Sequence, residues 1–150
     1  VNFIYFRGLS YPEIFNEYVA RTKTQKYATS KTQEVDLAEK AHQIKQYMAT
    51  EKPYLDFELN LSDLADRLEM NPRELSQLIN DQLKMNFYEF VNTYRVEEAK
   101  QLLKKFSTSE KRINEVMYDS GFSSKSTFNE IFKRTTGMTP KEFRSHTQKK

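Results

Sequence analysis

The chain has 150 residues and carries 24 Lys+Arg against 21 Asp+Glu, a formal net charge of +3. One domain with a short appendage is the expectation at this length. Cysteine is absent, which removes a disulfide scaffold, a thiol nucleophile and thiolate-ligated zinc. Two histidines, His42 and His146, are too few for a His-rich metal site, and neither stands with a nucleophile or an acid pair. Three Gly and four Pro leave little turn chemistry for a many-stranded sheet, whereas eleven Phe and nine Tyr can furnish a compact core. The composition points to a small helical protein that is not an enzyme and needs no cofactor.

The chain opens at Val1 rather than Met and reads as a piece of a longer protein. No apolar run approaches the ~20 residues of a membrane span. Residues 1–6 read either as the end of a hydrophobic helix or as a segment packing on the domain, and Phe3, Tyr5, Phe6, Tyr11 and Phe15 form an aromatic group with no assigned place, open to protein contacts or a dimer. Residues 21–33 are almost wholly polar and read as a linker, so residues 1–35 form an N-terminal segment ahead of a domain at 36–147. Within that domain Leu37, Ala41, Ile44 and Met48 recur at helical spacing, and this helix must end before Pro53. Tyr54 to Leu59 alternates loosely and is expected to be an extended connector.

Asn60 then caps a short helix with Leu61, Leu64, Ala65 and Leu68 inward. Asn71-Pro72-Arg73-Glu74 starts another, with Pro in the first turn and Leu75, Leu78 and Ile79 inward. Phe87 to Phe106 fits a longer helix of about 30 Å. After a polar break at Ser107–Ser109 the short-helix pattern returns in Ile113, Val116 and Met117. Gly121-Phe122-Ser123 makes a turn, and a further helix carries Phe128, Ile131 and Phe132. Gly137 closes it, Thr139-Pro140-Lys141-Glu142 opens a last helix containing Phe143, and residues 148–150 are a tail.

The two short-helix pairs repeat one another. Shifted by 52, Leu61, Leu64, Ala65 and Met70 fall on Ile113, Val116, Met117 and Phe122. Beyond the turn the shift is 53, and Leu75, Leu78 and Ile79 fall on Phe128, Ile131 and Phe132. Each unit is thus helix, tight turn, helix, the layout of a helix-turn-helix at about 61–83 and again at about 113–136. Helix pairs recur in any bundle, and a helical adaptor that binds another protein is the alternative. The outer faces favour nucleic acid. Arg73, Glu74, Ser76, Gln77 and Asn80 lie on the first second-helix, and Lys125, Ser126, Thr127, Asn129, Glu130 and Lys133 on the other. Arg, Lys, Asn and Gln carry the donor and acceptor sets that match base edges. An adaptor would need an exposed apolar stripe, and nearly every strong apolar residue here has an inner face to occupy.

Charge is unevenly spread. Residues 36–103 carry 8 basic and 13 acidic groups, and residues 104–150 carry 11 and 5. The second unit is therefore expected to supply most of the attraction for phosphates and the first to add selectivity. A rigid helix of about 30 Å between the units can set their outer helices about one DNA turn, ~34 Å, apart.

These residues resemble the DNA-binding domain of the AraC family of bacterial transcription regulators over about residues 37–147. The most specific part is Ile113…Gly121-Phe122-Ser123-Ser124-Lys125-Ser126-Thr127-Phe128-Asn129…Phe132-Lys133-Arg134…Gly137…Thr139-Pro140…Phe143-Arg144. The block from Asn86 through Tyr94-Arg95-Val96 to Ala99 resembles the family's linker helix, about 86–106. The resemblance implies an all-α, seven-helix domain of two helix-turn-helix subdomains joined by that helix. It implies double-stranded DNA as the partner, with RNA polymerase as a further one, no small-molecule site in this part, and dimerisation, if any, through other regions. Arg73, Gln77, Lys125, Ser126 and Glu130 then correspond to base-reading positions, and Ser62, Arg95, Ser124 and Lys133 to positions that hold the DNA backbone. Glu69 departs from the pattern where the first turn usually has glycine or a small residue, and Met117 where the second unit usually has alanine. Residues 6–15 resemble, less specifically, the stretch after a membrane-embedded sensor, which implies a cytoplasmic domain tethered to a membrane; a soluble regulator with its sensor domain elsewhere in the protein is the alternative.

Overall fold

The computed structural model describes residues 35–106 and 111–147. The expectations for residues 1–34, for the break at Ser107–Ser109 and for the tail lie outside the described residues. The chain divides into two parts, 1–38 and 39–150. Residues 35–38, the described portion of the first part, are helical and exposed, and every buried residue among the described ones belongs to the second part. Among the described residues there are seven α-helices, one 3-10 turn and no strand.

Helix α1 covers residues 35–51 and buries Ala41, Ile44 and Met48. Leu37 shares the predicted face but is exposed. Lys52 turns left-handed (φ 50°), and Pro53–Leu55 then form a 3-10 turn. This corrects the extended connector expected from Tyr54 onward: Tyr54 is buried, and its ring stacks on Tyr94 at 5.5 Å. Helix α2 is Leu61–Arg67, and the Asn60 side chain accepts from the Asp63 amide at 3.0 Å. Helix α3 is Pro72–Leu83, capped by Asn71, which accepts from the Arg73 amide at 2.9 Å.

Helix α4, Phe87–Lys105, begins in a capping box between Asn86 and Glu89. Its 19 residues make it about 28 Å long, and it serves two cores. Phe90 and Val91 join Ile44, Met48, Leu64, Ala65, Leu75, Leu78 and Ile79 in the first. Val96, Ala99 and Leu103 join Val116, Met117, Phe122, Phe128, Ile131 and Phe132 in the second. Helices α5 (Ile113–Asp119), α6 (Lys125–Thr136) and α7 (Pro140–Thr147) complete the second core, with Phe143 packed edge-on against Phe132.

The repeat seen in the sequence is also a repeat of backbone hydrogen bonds. After α2, the Glu69 amide donates to the Asp66 carbonyl (3.1 Å) and the Met70 amide to the Ala65 carbonyl (2.9 Å). After α5, the Gly121 amide donates to Tyr118 (3.0 Å) and the Phe122 amide to Met117 (3.0 Å). Both ends are Schellman motifs, which need a left-handed residue just past the cap. Glu69 (φ 54°) and Gly121 (φ 85°) supply it at equivalent positions.

Candidate nucleic-acid interface

Burying Leu75, Leu78 and Ile79 on one side of α3 forces the residues between them outward. Arg73, Glu74, Gln77 and Asn80 are exposed. A shallow concavity lined by Leu61, Pro72, Arg73, Ser76, Gln77, Asn80 and Asp81 runs along this face. On α6, Phe128, Ile131 and Phe132 are buried, and Lys125, Ser126, Glu130, Lys133 and Arg134 are exposed. Thr127 and Asn129 are half-buried at the edge of that face.

The start of each outer helix is fixed locally. Asn71 caps α3 with Pro72 in the first turn. Ser124 caps α6, and its hydroxyl lies 2.9 Å from that of Ser126. Two candidate residues therefore share one small network at the α6 N-terminus. The Glu74 carboxylate accepts from Lys40 of α1 at 3.1 Å. That pair is largely exposed, and such pairs contribute at most ~1 kcal/mol, so a better partner can displace it. Ser62 is exposed in the first turn of α2, and Lys133 is exposed on α6.

Arg95, expected to hold the DNA backbone, is only 9% exposed. Its Nε donates to the Tyr54 carbonyl and its Nη2 to the Asp56 carbonyl, both at 2.8 Å. Its guanidinium carbon lies 5.9 Å from the centre of the Phe122 ring. Desolvation lowers its pKa from the ordinary arginine value, opposed by Tyr88 and Asp56 nearby. The side chain is engaged inside the fold. The sequence carries a signal for this: Arg95 lies four residues from both Val91 and Ala99, on the inner face of α4.

Among the described residues no group of His, Asp and Glu is arranged to hold a metal ion. None of their helices is long and apolar enough to cross a membrane. The surface is not featureless elsewhere, since Phe57, Tyr88 and Tyr118 are each more than half exposed.

An all-α domain of two helix-turn-helix units about one shared helix, each with a polar outer helix, defines a class of DNA-binding domain. The helix-turn-helix domain family matches residues 64–146, more than half of the chain. A helix-turn-helix-type transcriptional regulator of Staphylococcus aureus strain COL is 33% identical over 87 residues, 58% of this chain and 11% of that relative. The arabinose operon regulatory protein of Escherichia coli K12 is 30% identical over 95 residues, 63% of this chain and 32% of that protein. The chain thus spans only a minor part of the curated relatives it matches. Among solved structures, the C-terminal domain of AraT, a response regulator from Geobacillus stearothermophilus, is 26% identical with a TM-score of 0.61, covering 71% of this chain and 84% of that one. The DNA-binding domain of AdpA, solved with a target DNA, shares the fold with a TM-score of 0.61 at 21% identity, over 73% of this chain and 93% of its own. The chain belongs to the AraC-type helix-turn-helix family, whose members are transcription regulators rather than enzymes.

Proposed function

We infer that this chain is the promoter-reading part of a bacterial transcription regulator and that α3 and α6 enter successive major grooves of one duplex. The observation that carries this reading is the paired geometry: two helices with buried apolar faces and exposed Arg, Gln, Lys and Asn, set at the two ends of one helix about 28 Å long. On α3, Arg73 and Gln77 read base edges and Glu74 contributes once released from Lys40. On α6, Lys125, Ser126, Thr127, Asn129 and Glu130 do so. Lys133, Ser124 and Ser62 hold phosphates; Arg95 has no part in the contact, being engaged with backbone carbonyls. RNA polymerase contacts and any dimer formation belong to the whole regulator.

Selection of binding sites from random duplex DNA near physiological salt tests the reading. A bipartite element with halves about 10 bp apart is the expected product. Enrichment of one short element would reduce the reading to a single base-reading unit. No enrichment by folded protein would overturn it in favour of a protein-binding adaptor.

A further inference from the structure

Each core of the domain has its own stretch of α4, so on packing alone the two units are joined by a single helix. A second connection runs beside it. The 3-10 turn Pro53–Leu55 belongs to the first unit, where Tyr54 is part of the core. Three residues over one turn of α4 hold it. Tyr94 stacks on Tyr54, Arg95 donates to the carbonyls of Tyr54 and Asp56, and Glu98 accepts from the Tyr54 hydroxyl at 3.0 Å and from Lys52 at 2.9 Å. On its other side the turn meets the second unit directly. A Cβ at Gly121 would clash with the Tyr54 carbonyl oxygen and lie 3.0 Å from the Leu55 Cα and 3.1 Å from Arg95 Nε. The next residue, Phe122, sits in the second core and beneath the Arg95 guanidinium.

We propose that Tyr54, Arg95 and Gly121 form a cross-brace between the two helix-turn-helix units and are positioning residues that fix the spacing of α3 and α6. The arrangement is that of a truss. A lone helix can bend between two attached bodies, whereas a second contact off its axis removes that freedom. The Glu69–Gly121 pair supports this. The same backbone motif takes a glutamate where its outside is solvent and a glycine where another backbone passes within contact distance. This proposal rests on two-groove reading for its functional consequence, but not for its structural one. For DNA, the consequence is strict spacing, because each added base pair shifts the second groove by about 3.4 Å and turns it by about a tenth of a turn.

The absence of cysteine allows a test in the whole chain. Gln82→Cys on α3 and Thr135→Cys on α6, both exposed, carry a spin-label pair for distance measurement. The parent is expected to give one narrow distance distribution, and R95K and G121A broader or shifted ones. R95K keeps the charge and loses the two-pronged geometry, so it covers the case in which G121A fails to fold. Circular dichroism establishes that each variant is folded. An unchanged narrow distribution in a folded R95K would overturn the brace, whatever happens on DNA. A second arm uses the selected bipartite site with one or two base pairs inserted. Parent affinity is expected to fall by roughly tenfold or more and R95K affinity by less than about threefold. A parent indifferent to the insertion would overturn two-groove reading while leaving the distance result to decide the brace.

Discussion

Glu69→Gly tests the backbone reading of the first turn most simply. Glu69 is exposed and left-handed at φ 54°, and its amide donation to Asp66 does not depend on its side chain. An L-residue held there is strained by about 1–2 kcal/mol relative to the right-handed helical region. Glycine removes that strain but loses about 0.5–1 kcal/mol more in conformational entropy on folding. The net expectation is a gain of roughly 0.5–1 kcal/mol, or about 2–5 °C in Tm for a domain of this size. Urea and thermal unfolding followed by circular dichroism read it, with the urea slope unchanged. Glu69 also lies in the acidic part of the chain, so Glu69→Gln is the necessary companion. It removes the charge and keeps the strain, and is expected to stay within about 0.5 kcal/mol of the parent. Equal stabilisation by both variants would mean that charge repulsion, not the left-handed backbone, limits this turn.

Other outcomes follow from the same structure. Leu103→Ala empties a fully buried position in the second core and should cost about 2–5 kcal/mol; a loss below about 1 kcal/mol in a urea melt would contradict the packing described. Glu142 is held below its ordinary carboxylate pKa chiefly by the Thr139 amide, with the Thr139 hydroxyl and Lys133 adding to it. Its contribution is therefore present above the unfolded pKa and lost as pH falls through the lower folded value. The Tm difference between parent and Glu142→Gln should be level near neutrality and close under acid, and a difference that stays constant throughout acid titration would refute the assignment. On DNA, Lys133→Ala should flatten the salt dependence of binding by about 0.9 in log–log slope. Arg73→Ala should instead relax base choice at one position, by about 1–3 kcal/mol, with the smaller change in slope. The reverse pattern would exchange their roles.

The helices are legible in the sequence because their signals are local. Leu75, Leu78 and Ile79 announce α3 within five residues, Asn71-Pro72 marks its start, and the shifted repeat finds α6 by the same rule. The turns that close the two short helices are local too, and at the first of them Glu69 takes, with strain, the left-handed conformation that Gly121 takes at the second. What the sequence conceals depends on distant partners. Tyr54 looks like part of an extended connector until its hydroxyl meets Glu98, 44 residues away, and its carbonyl meets Arg95, 41 away. Arg95 corresponds by resemblance to a position that holds the DNA backbone, whereas its inner-face position on α4 points to the burial found here. Gly121 reads as an ordinary turn glycine, and only the passing backbone of Tyr54 and Leu55 gives it a second reason to lack a side chain.

Reading of two successive major grooves by one chain is open to a direct measurement. Guanine N7 methylation interference on the selected site, run at a verified stoichiometry of one chain per duplex, addresses it, because N7 is exposed in the major groove. Two patches of interference about 10–10.5 bp apart on one face of the duplex are the expected result. A single patch at that stoichiometry, or two patches that emerge only when two chains are bound, would contradict it.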